Sequence, residues 1–285
     1  MSTLVTGGLG IIGSWVARNL VEKGDKPIVY DIAANTDLLA DLVDKIGMVL
    51  GDILDLTCLI RTIKAYEIKT IVHLAAVYPL PTNPLLEFNV NARGVINVLE
   101  VARICDVERV VFTSSKGVYD KAVGEYAHPT YKPITEDYPK TSPQGTYGIA
   151  KLASELMGLH YNELFGLDFV ALRFSSIYGP GKAAREAFGL YSEMIENAVF
   201  GRPTKIAKGG DQKNDVIYVK DVANSIVLAC YAENLVHRQI HVGTGIALSL
   251  RERAKVVKDM FPDAQIEIGS GTNTLRPMIF DITRA

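Results

Sequence analysis

Tyr147 and Lys151 stand four residues apart in the stretch GTYGIAKLASE, residues 145–155. If that stretch is helical, one turn separates them and both side chains leave the same face. A phenol beside an ammonium suits the removal of a proton from an alcohol. With an ordinary pKa near 10 the phenol is a poor base at neutral pH, and a neighbouring cation lowers that value by favouring the anion. Moving it by about three units takes about 4 kcal/mol, within reach of two close cationic charges in a partly dry site. Many ordinary helices carry Tyr and Lys at this spacing, so the rest of the chain has to supply the setting.

The setting begins near the N-terminus. TLVTGGLGIIGSW (3–15) puts Gly8, Gly10 and Gly13 in G-x-G-x-x-G spacing, directly after a strand-like run and opening a helical one, with Gly7 adding to the turn. Such a turn needs glycine's backbone freedom, and bare backbone lets a pyrophosphate approach the helix N-terminus. Asp31 ends the second strand-like run, 18 residues after Gly13. Its carboxylate suits both ribose hydroxyls of an adenosine and repels a 2′-phosphate, which predicts NAD rather than NADP.

Elements that position these residues follow from the hydrophobic pattern. Continuous apolar runs at 3–6, 27–31, 48–50, 70–76, 109–115 and 168–174 read as strands covered on both faces. Helical stretches near 10–23, 37–46, 56–66, 84–105 and 144–165 alternate with them. The alternation predicts an α/β fold, a Rossmann-type doubly wound parallel sheet. After Gly179 the rhythm changes to helices near 184–200, 221–233 and 249–260 with short strands near 205–207, 216–219 and 239–242. The expected division is a dinucleotide-binding part over 1–178 and a smaller, mixed substrate-binding part over 179–285, with some elements returning to the core. The long connection from Tyr119 to Gly145 reads as a lid or a substrate-facing segment.

Of the 285 residues 48% are hydrophobic and 22% charged, a globular composition long enough for one large core with a smaller part attached. A net charge of -2 gives no reason to expect nucleic acid or a membrane surface as partner. No apolar run approaches the roughly 18 residues of a membrane span, and no N-terminal signal is visible. Cys58, Cys105 and Cys230 are scattered and odd in number, which predicts free thiols and a reducing cytoplasm. The five histidines form no short-spaced set, so no metal site is expected.

With the glycine turn, Asp31 and the Tyr147/Lys151 pair in place, the chain resembles the extended short-chain dehydrogenases, specifically the NAD-dependent epimerase/dehydratase family. The resemblance runs nearly end to end. It implies that VTGGLGIIGS, with Gly7, Gly10, Ile11 and Ile12, is the cofactor turn. It also implies that Asp52 and Ile53 of GDILD meet the adenine, and that Leu74, Ala75 and Ala76 of HLAA line the cofactor. Asn91 of NVNARGVINVLE joins that set, although pinning the core is its more ordinary use. VVFTSSKGVYD puts the family's catalytic serine at Ser115, which completes a catalytic set with Tyr147 and Lys151; Lys151 can also bond the nicotinamide ribose.

Three departures bear on substrate. Dehydratases of the family place Asp-Glu after the catalytic Ser/Thr, whereas this chain has Lys116 and Gly117, which argues against dehydration. Ser176 replaces an Asn usual in sugar-nucleotide epimerases. Asn214 stands where their R-D-F-I-Y-V motif supplies an arginine to the substrate diphosphate, and the neighbouring Lys213 lacks arginine's bidentate fork. Arg185 and Arg276 are then the candidate anion binders, and Ser115, Lys116 and Ser176 complete the candidate substrate set. Members also run on for some tens of residues past the position of RPMIFDITRA, which implies a reduced substrate part or an incomplete chain.

The leading expectation is an NAD-dependent oxidoreductase/epimerase acting on a secondary alcohol of a sugar-like small molecule, of the nucleotide-sugar epimerase class. The alternative is a dehydrogenase of a small non-nucleotide hydroxy compound that releases NADH. A non-catalytic dinucleotide-binding protein is disfavoured because Ser115, Tyr147 and Lys151 are all retained. By resemblance a homodimer is expected, built on the helices near 84–105 and 144–165.

Overall fold

The structure, a computed structural model, describes residues 2–78, 83–180, 189–272 and 277–285. In chain order the elements are β1 (Thr3–Thr6), α1 (Ile11–Glu22), β2 (Ile28–Asp31), β3 (Gly47–Leu50), α2 (Leu56–Ala65), β4 (Thr70–His73), α3 (Pro84–Phe88), α4 (Gly94–Ile104), β5 (Arg109–Ser115), α5 (Gly145–Phe165) and β6 (Asp168–Phe174). There follow β7 (Ser176–Tyr178), α6 (Gly189–Val199), β8 (Thr204–Ile206), β9 (Lys213–Asn214), β10 (Val216–Tyr218), α7 (Val219–Tyr231), β11 (Gln239–Val242), β12 (Leu248–Ser249), α8 (Leu250–Met260) and β13 (Ile266–Ile268).

Two compact units emerge. The first comprises Met1–Asp120, Pro139–Phe174 and Lys220–Ile240; the second comprises Lys121–Tyr138, Ser175–Val219 and His241–Ala285. The main sheet runs β11-β6-β5-β4-β1-β2-β3, and β1 to β6 pair in parallel. Chain order reverses between β1 and β4, the switch point at which open α/β sheets bind ligands. Helices cover both faces. Ile63, Val98, Leu99 and Phe169 belong to the larger apolar cluster, while Ala17, Val29, Leu39, Leu42 and Ile46 form the other.

Local differences from the sequence pattern have identifiable causes. Residues 37–45 form tight 3₁₀ turns instead of an α-helix; only Leu39 and Leu42 are buried there, three residues apart, which matches a three-residue repeat. The expected helix over 84–105 is broken into α3 and α4 by a wide π-type turn at Asn89–Arg93. Asn91 sits in that turn, its carbonyl taken by the Ser154 hydroxyl at 2.9 Å. β4 stops at His73 because the chain then turns away, its amide hydrogen bonds going to Thr6 and Asn91.

In the second unit β7 pairs with β10 and β8 with β13, both in parallel, and β9 pairs with β12 antiparallel. The stretch expected to act as a lid is anchored: Ile134, 1% exposed, exchanges backbone hydrogen bonds with Ile279 and Asp281. Buried Asp215 ties the unit together by accepting from the Thr244 amide and hydroxyl and from the amides of Gly245 and Phe280. Among the described residues no helix is long and apolar enough to cross a membrane.

Candidate active site

β1 ends at the glycine turn, β4 at Leu74–Ala76 and β5 at Ser115, so these candidate residues lie at the carboxyl edge of one sheet. Gly7 adopts φ +67°, and a Cβ there would lie 2.7 Å from the Ala75 nitrogen. A Cβ on Gly13 would meet the Gly7 carbonyl at 2.4 Å. α1 starts with neither a capping side chain nor an acid in its first turn, which leaves its positive end with Ile11 and Ile12 open to an anion. Asp31 closes the other side: its carboxylate accepts from the Leu9 amide at 3.0 Å and the Ala33 amide at 3.0 Å. Asp52 bonds the Leu54 amide at 2.9 Å, and Ile53 is buried beneath Gly94. A bare backbone cradle at a helix N-terminus with a carboxylate at the next strand end fits a dinucleotide.

The cradle's crowding makes a prediction. Gly13→Ala forces a methyl against backbone, 2.4 Å from Gly7 and 2.6 Å from Gly8. We expect a loss of about 1–3 kcal/mol in urea unfolding and NAD affinity weakened by roughly tenfold or more, as for one lost pyrophosphate contact. Wild-type affinity in this variant, measured by titration, would contradict the cradle.

Ser115, Tyr147 and Lys151 come together where β5 meets α5. The approach depends on Gly148, whose Cβ would lie 2.2 Å from the Gly117 carbonyl. The Ser115 hydroxyl accepts from the Gly117 amide at 3.1 Å and is hydrogen-bonded to the Tyr147 phenol. Lys151, 2% exposed, donates from Nζ to the Thr113 carbonyl at 2.7 Å and lies 4.7 Å above the Phe112 ring and 5.7 Å from the Tyr147 ring. Burial pushes the ammonium down to about 7, opposed by the Glu155 carboxylate one turn along α5.

Tyr147 departs from the expected electrostatics. Burial first and Tyr78 next hold the phenol above its ordinary value; the Ser115 bond pulls it down, and the Glu87 carboxylate pushes it up. Lys151 spends a proton on Thr113 and does not reverse that balance. The arrangement can hold an alcohol oxygen between a hydroxyl and a phenol, with a buried cation beside them.

Supporting groups continue below. Neutral His73 shares a hydrogen bond between its Nδ1 and the Thr6 hydroxyl at 2.8 Å, accepts the Thr113 hydroxyl on its carbonyl, and is pushed down to about 3 by burial and then by the Lys151 charge. Asn91 has both ends of its amide on the Val77 backbone, at 2.8 and 2.7 Å, which pins the chain after β4. Among the substrate candidates, Lys116 is buried in the turn after Ser115, and Ser176 accepts the Asn214 amide at 2.7 Å. Arg185 and Arg276 lie outside the described residues.

Thr113, Tyr78, Glu87 and Glu155 did not stand out in the sequence. Glu155 carried the one usable signal, since it follows Lys151 by four residues on the same helix. The others join through space.

Residues 3–243 match the NAD-dependent epimerase/dehydratase family. A UDP-glucose 4-epimerase from Mycolicibacterium smegmatis is 32% identical over 261 residues, covering 88% of this chain and 80% of the relative. Among solved structures, a Thermotoga maritima UDP-glucose 4-epimerase with UDP-glucose superposes at a TM-score of 0.85 with 25% identity, covering 100% of this chain and 91% of that one. A Thermus thermophilus UDP-glucose 4-epimerase in complex with NAD gives 0.81 with 27% identity, covering 99% and 91%. The strand order, the glycine cradle and a match across five-sixths of its length agree: the chain belongs to the NAD-dependent epimerase/dehydratase family.

Proposed function

We propose that this protein is an NAD-dependent epimerase of nucleotide sugars, with Tyr147 as the group that takes and returns the proton of a sugar hydroxyl. The observation that carries the reading is the Ser115–Tyr147 hydrogen bond beside the buried Lys151 ammonium, at the sheet edge that bears the glycine cradle. Similarity to enzymes named as UDP-glucose 4-epimerases supports the substrate class. In this reading residues 1–178 carry the cofactor and catalytic residues, and residues 179–285 are mainly substrate-binding.

The cradle with Gly7, Gly10, Ile11 and Ile12 would hold the pyrophosphate of NAD and Asp31 the adenosine ribose. Asp52, Ile53 and Leu74–Ala76 would line the rest. Bound NAD⁺ supplies the hydride acceptor, a later hydride donor and a positive charge. Ser115 would orient the substrate hydroxyl toward Tyr147, whose phenolate oxygen would accept its proton. Lys151 stabilises the phenolate and would also bond the nicotinamide ribose. Once the sugar carbonyl has presented its other face, Tyr147 would return the proton to its oxygen.

The test is direct. Incubation with UDP-glucose and NAD⁺ should give the 4-epimer with no net NADH, and purified protein should carry NAD(H) near stoichiometry. NADH formed mole for mole with oxidised substrate makes the enzyme a dehydrogenase instead. Inertness toward every sugar nucleotide tried would end the reading.

Glu87 offers a pH prediction. Its carboxylate is among the groups that raise the phenol, so Glu87→Gln lowers the Tyr147 pKa. A base acts when deprotonated, so the acid limb of kcat/KM should move to lower pH. An unmoved limb would separate Glu87 from Tyr147.

We also read the enzyme as a cytoplasmic homodimer joined through α4 and α5. Exposed Ile96, Ile149 and Leu156 on those helices support the interface, and free Cys58, Cys105 and Cys230 support the compartment. Light scattering should give twice the chain's 31.1 kDa; a monomer at micromolar concentration rejects the dimer.

A further inference from the structure

We infer that a cavity inside the second unit, walled by Tyr178, Tyr191 and Arg253, is an oxyanion site in which Arg253 grips a phosphate group of the substrate. The nucleotide-sugar reading names the ligand; the chemistry of the site stands without it.

The cavity measures about 170 Å³, and Arg253 is the one charged side chain among its described lining residues. Met194, Val216 and Leu248 make the remaining wall largely apolar. Small-molecule pockets run from roughly 300 Å³ upward, so this one suits a phosphate-sized group and not a whole sugar nucleotide.

Arg253 reaches in from α8. Its Nη2 donates to the Asn214 carbonyl at 2.9 Å, and its guanidinium lies 5.5 Å from the centre of the Tyr191 ring. Its Nε is enclosed without an acceptor. Among the described residues no carboxylate lies within ion-pair distance of it. The nearby acids are engaged elsewhere: Asp215 accepts from Thr244, Gly245 and Phe280, and Glu252 closes the capping box with Ser249. Burial lowers the guanidinium's pKa, opposed by Tyr191 and Tyr178 and then by the Asp215 and Glu252 carboxylates.

A largely buried cation with no ion-pair partner among the described residues, its nearest carboxylates Asp215 and Glu252 acting only from a distance, is costly in an apolar wall. An oxyanion would supply the charge, and arginine's planar fork matches phosphate in two bonds. The position is also apt, because Arg253 bonds the backbone of Asn214, the place where this chain lacks an arginine.

The experiment is isothermal titration of the full chain with pyrophosphate, UDP and uridine, for wild type, Arg253→Leu and Arg253→Gln. Gln keeps a polar amide but carries no charge. We expect both variants to bind pyrophosphate and UDP at least tenfold more weakly, with uridine within twofold. Arg253→Leu should melt no lower than wild type, since it removes an unpaired charge from an apolar wall. UDP binding far tighter than pyrophosphate identifies a nucleotide occupant; equal binding identifies a free oxyanion. Undiminished pyrophosphate and UDP binding in the folded variants overturns the proposal, as does an equal loss for uridine. So does a wild type that ignores millimolar pyrophosphate. If Arg253→Leu does not fold, Arg253→Gln decides. Pyrophosphate needs no turnover, so this arm can succeed even if no sugar nucleotide is epimerised.

Discussion

Tyr147→Phe should lower epimerase turnover by about 10²–10⁴-fold, the usual worth of a positioned acid–base group. It should leave NAD binding and the melting temperature within error, because the phenol ring lies 5.7 Å from the Tyr78 ring and Phe keeps that contact. Only the hydroxyl, with its bond to Ser115, is removed. The pH dependence carries further information. Burial and Tyr78 hold the phenol above its ordinary value in the chain by itself. If Tyr147 is the base, turnover near neutrality is expected to need the nicotinamide cation and a protonated Lys151 together. Lys151 is pushed down to about 7, so raising the pH strips its proton even as it favours the phenolate. The two effects oppose, and a bell-shaped profile is expected whose two limbs belong to the Tyr147–Lys151 pair as a unit. Retention of most activity by Tyr147→Phe would remove Tyr147 from the chemistry altogether.

Glu155→Gln should cost about 3–5 kcal/mol of stability, because it leaves the Arg173 cation buried without its partner. Neither side chain of this pair has any solvent exposure. Arg173 donates from Nη2 to Glu155 Oε2 at 2.6 Å and from Nε to Oε1 at 3.0 Å, while Nη1 reaches the Tyr119 hydroxyl at 2.7 Å. Gln239 gives the carboxylate a further bond at 2.9 Å. For a chain near this size the loss corresponds to a fall in Tm of roughly 6–20 °C. The double variant Glu155→Leu/Arg173→Met should recover most of it, since an apolar pair of similar volume removes both charges. A single variant within about 1 kcal/mol of wild type, by urea unfolding, would show that the pair is not the lock between α5 and β6. Glu155 also supports the Lys151 ammonium, so even the stable double variant should lose its basic limb at lower pH than wild type.

Much of this molecule is local. The glycine turn, Asp31 and the Tyr147/Lys151 spacing are all legible in the chain, because each depends on residues within one strand–turn–helix or one helical turn. β5 and β6 occupy 109–115 and 168–174, where the apolar runs place them, since burial on both faces leaves an unbroken signature.

Tertiary structure decided the rest. Nothing in the sequence says that Gly148 must be bare because the Gly117 carbonyl passes against it, yet that contact brings Ser115 to Tyr147. Nor does it say that Lys151 bonds Thr113, that Asn91 clamps Val77, or that Arg173 meets Glu155 in complete burial. The short pairs β7–β10 and β8–β13 join segments about 40 and 60 residues apart and contain three residues a strand, too few for periodicity to register. Hydrophobic period reports which face of an element is buried. Which partner waits on that face is settled only when the sheet closes, and there a buried polar group takes whichever neighbour spares it the cost of leaving water unpaired.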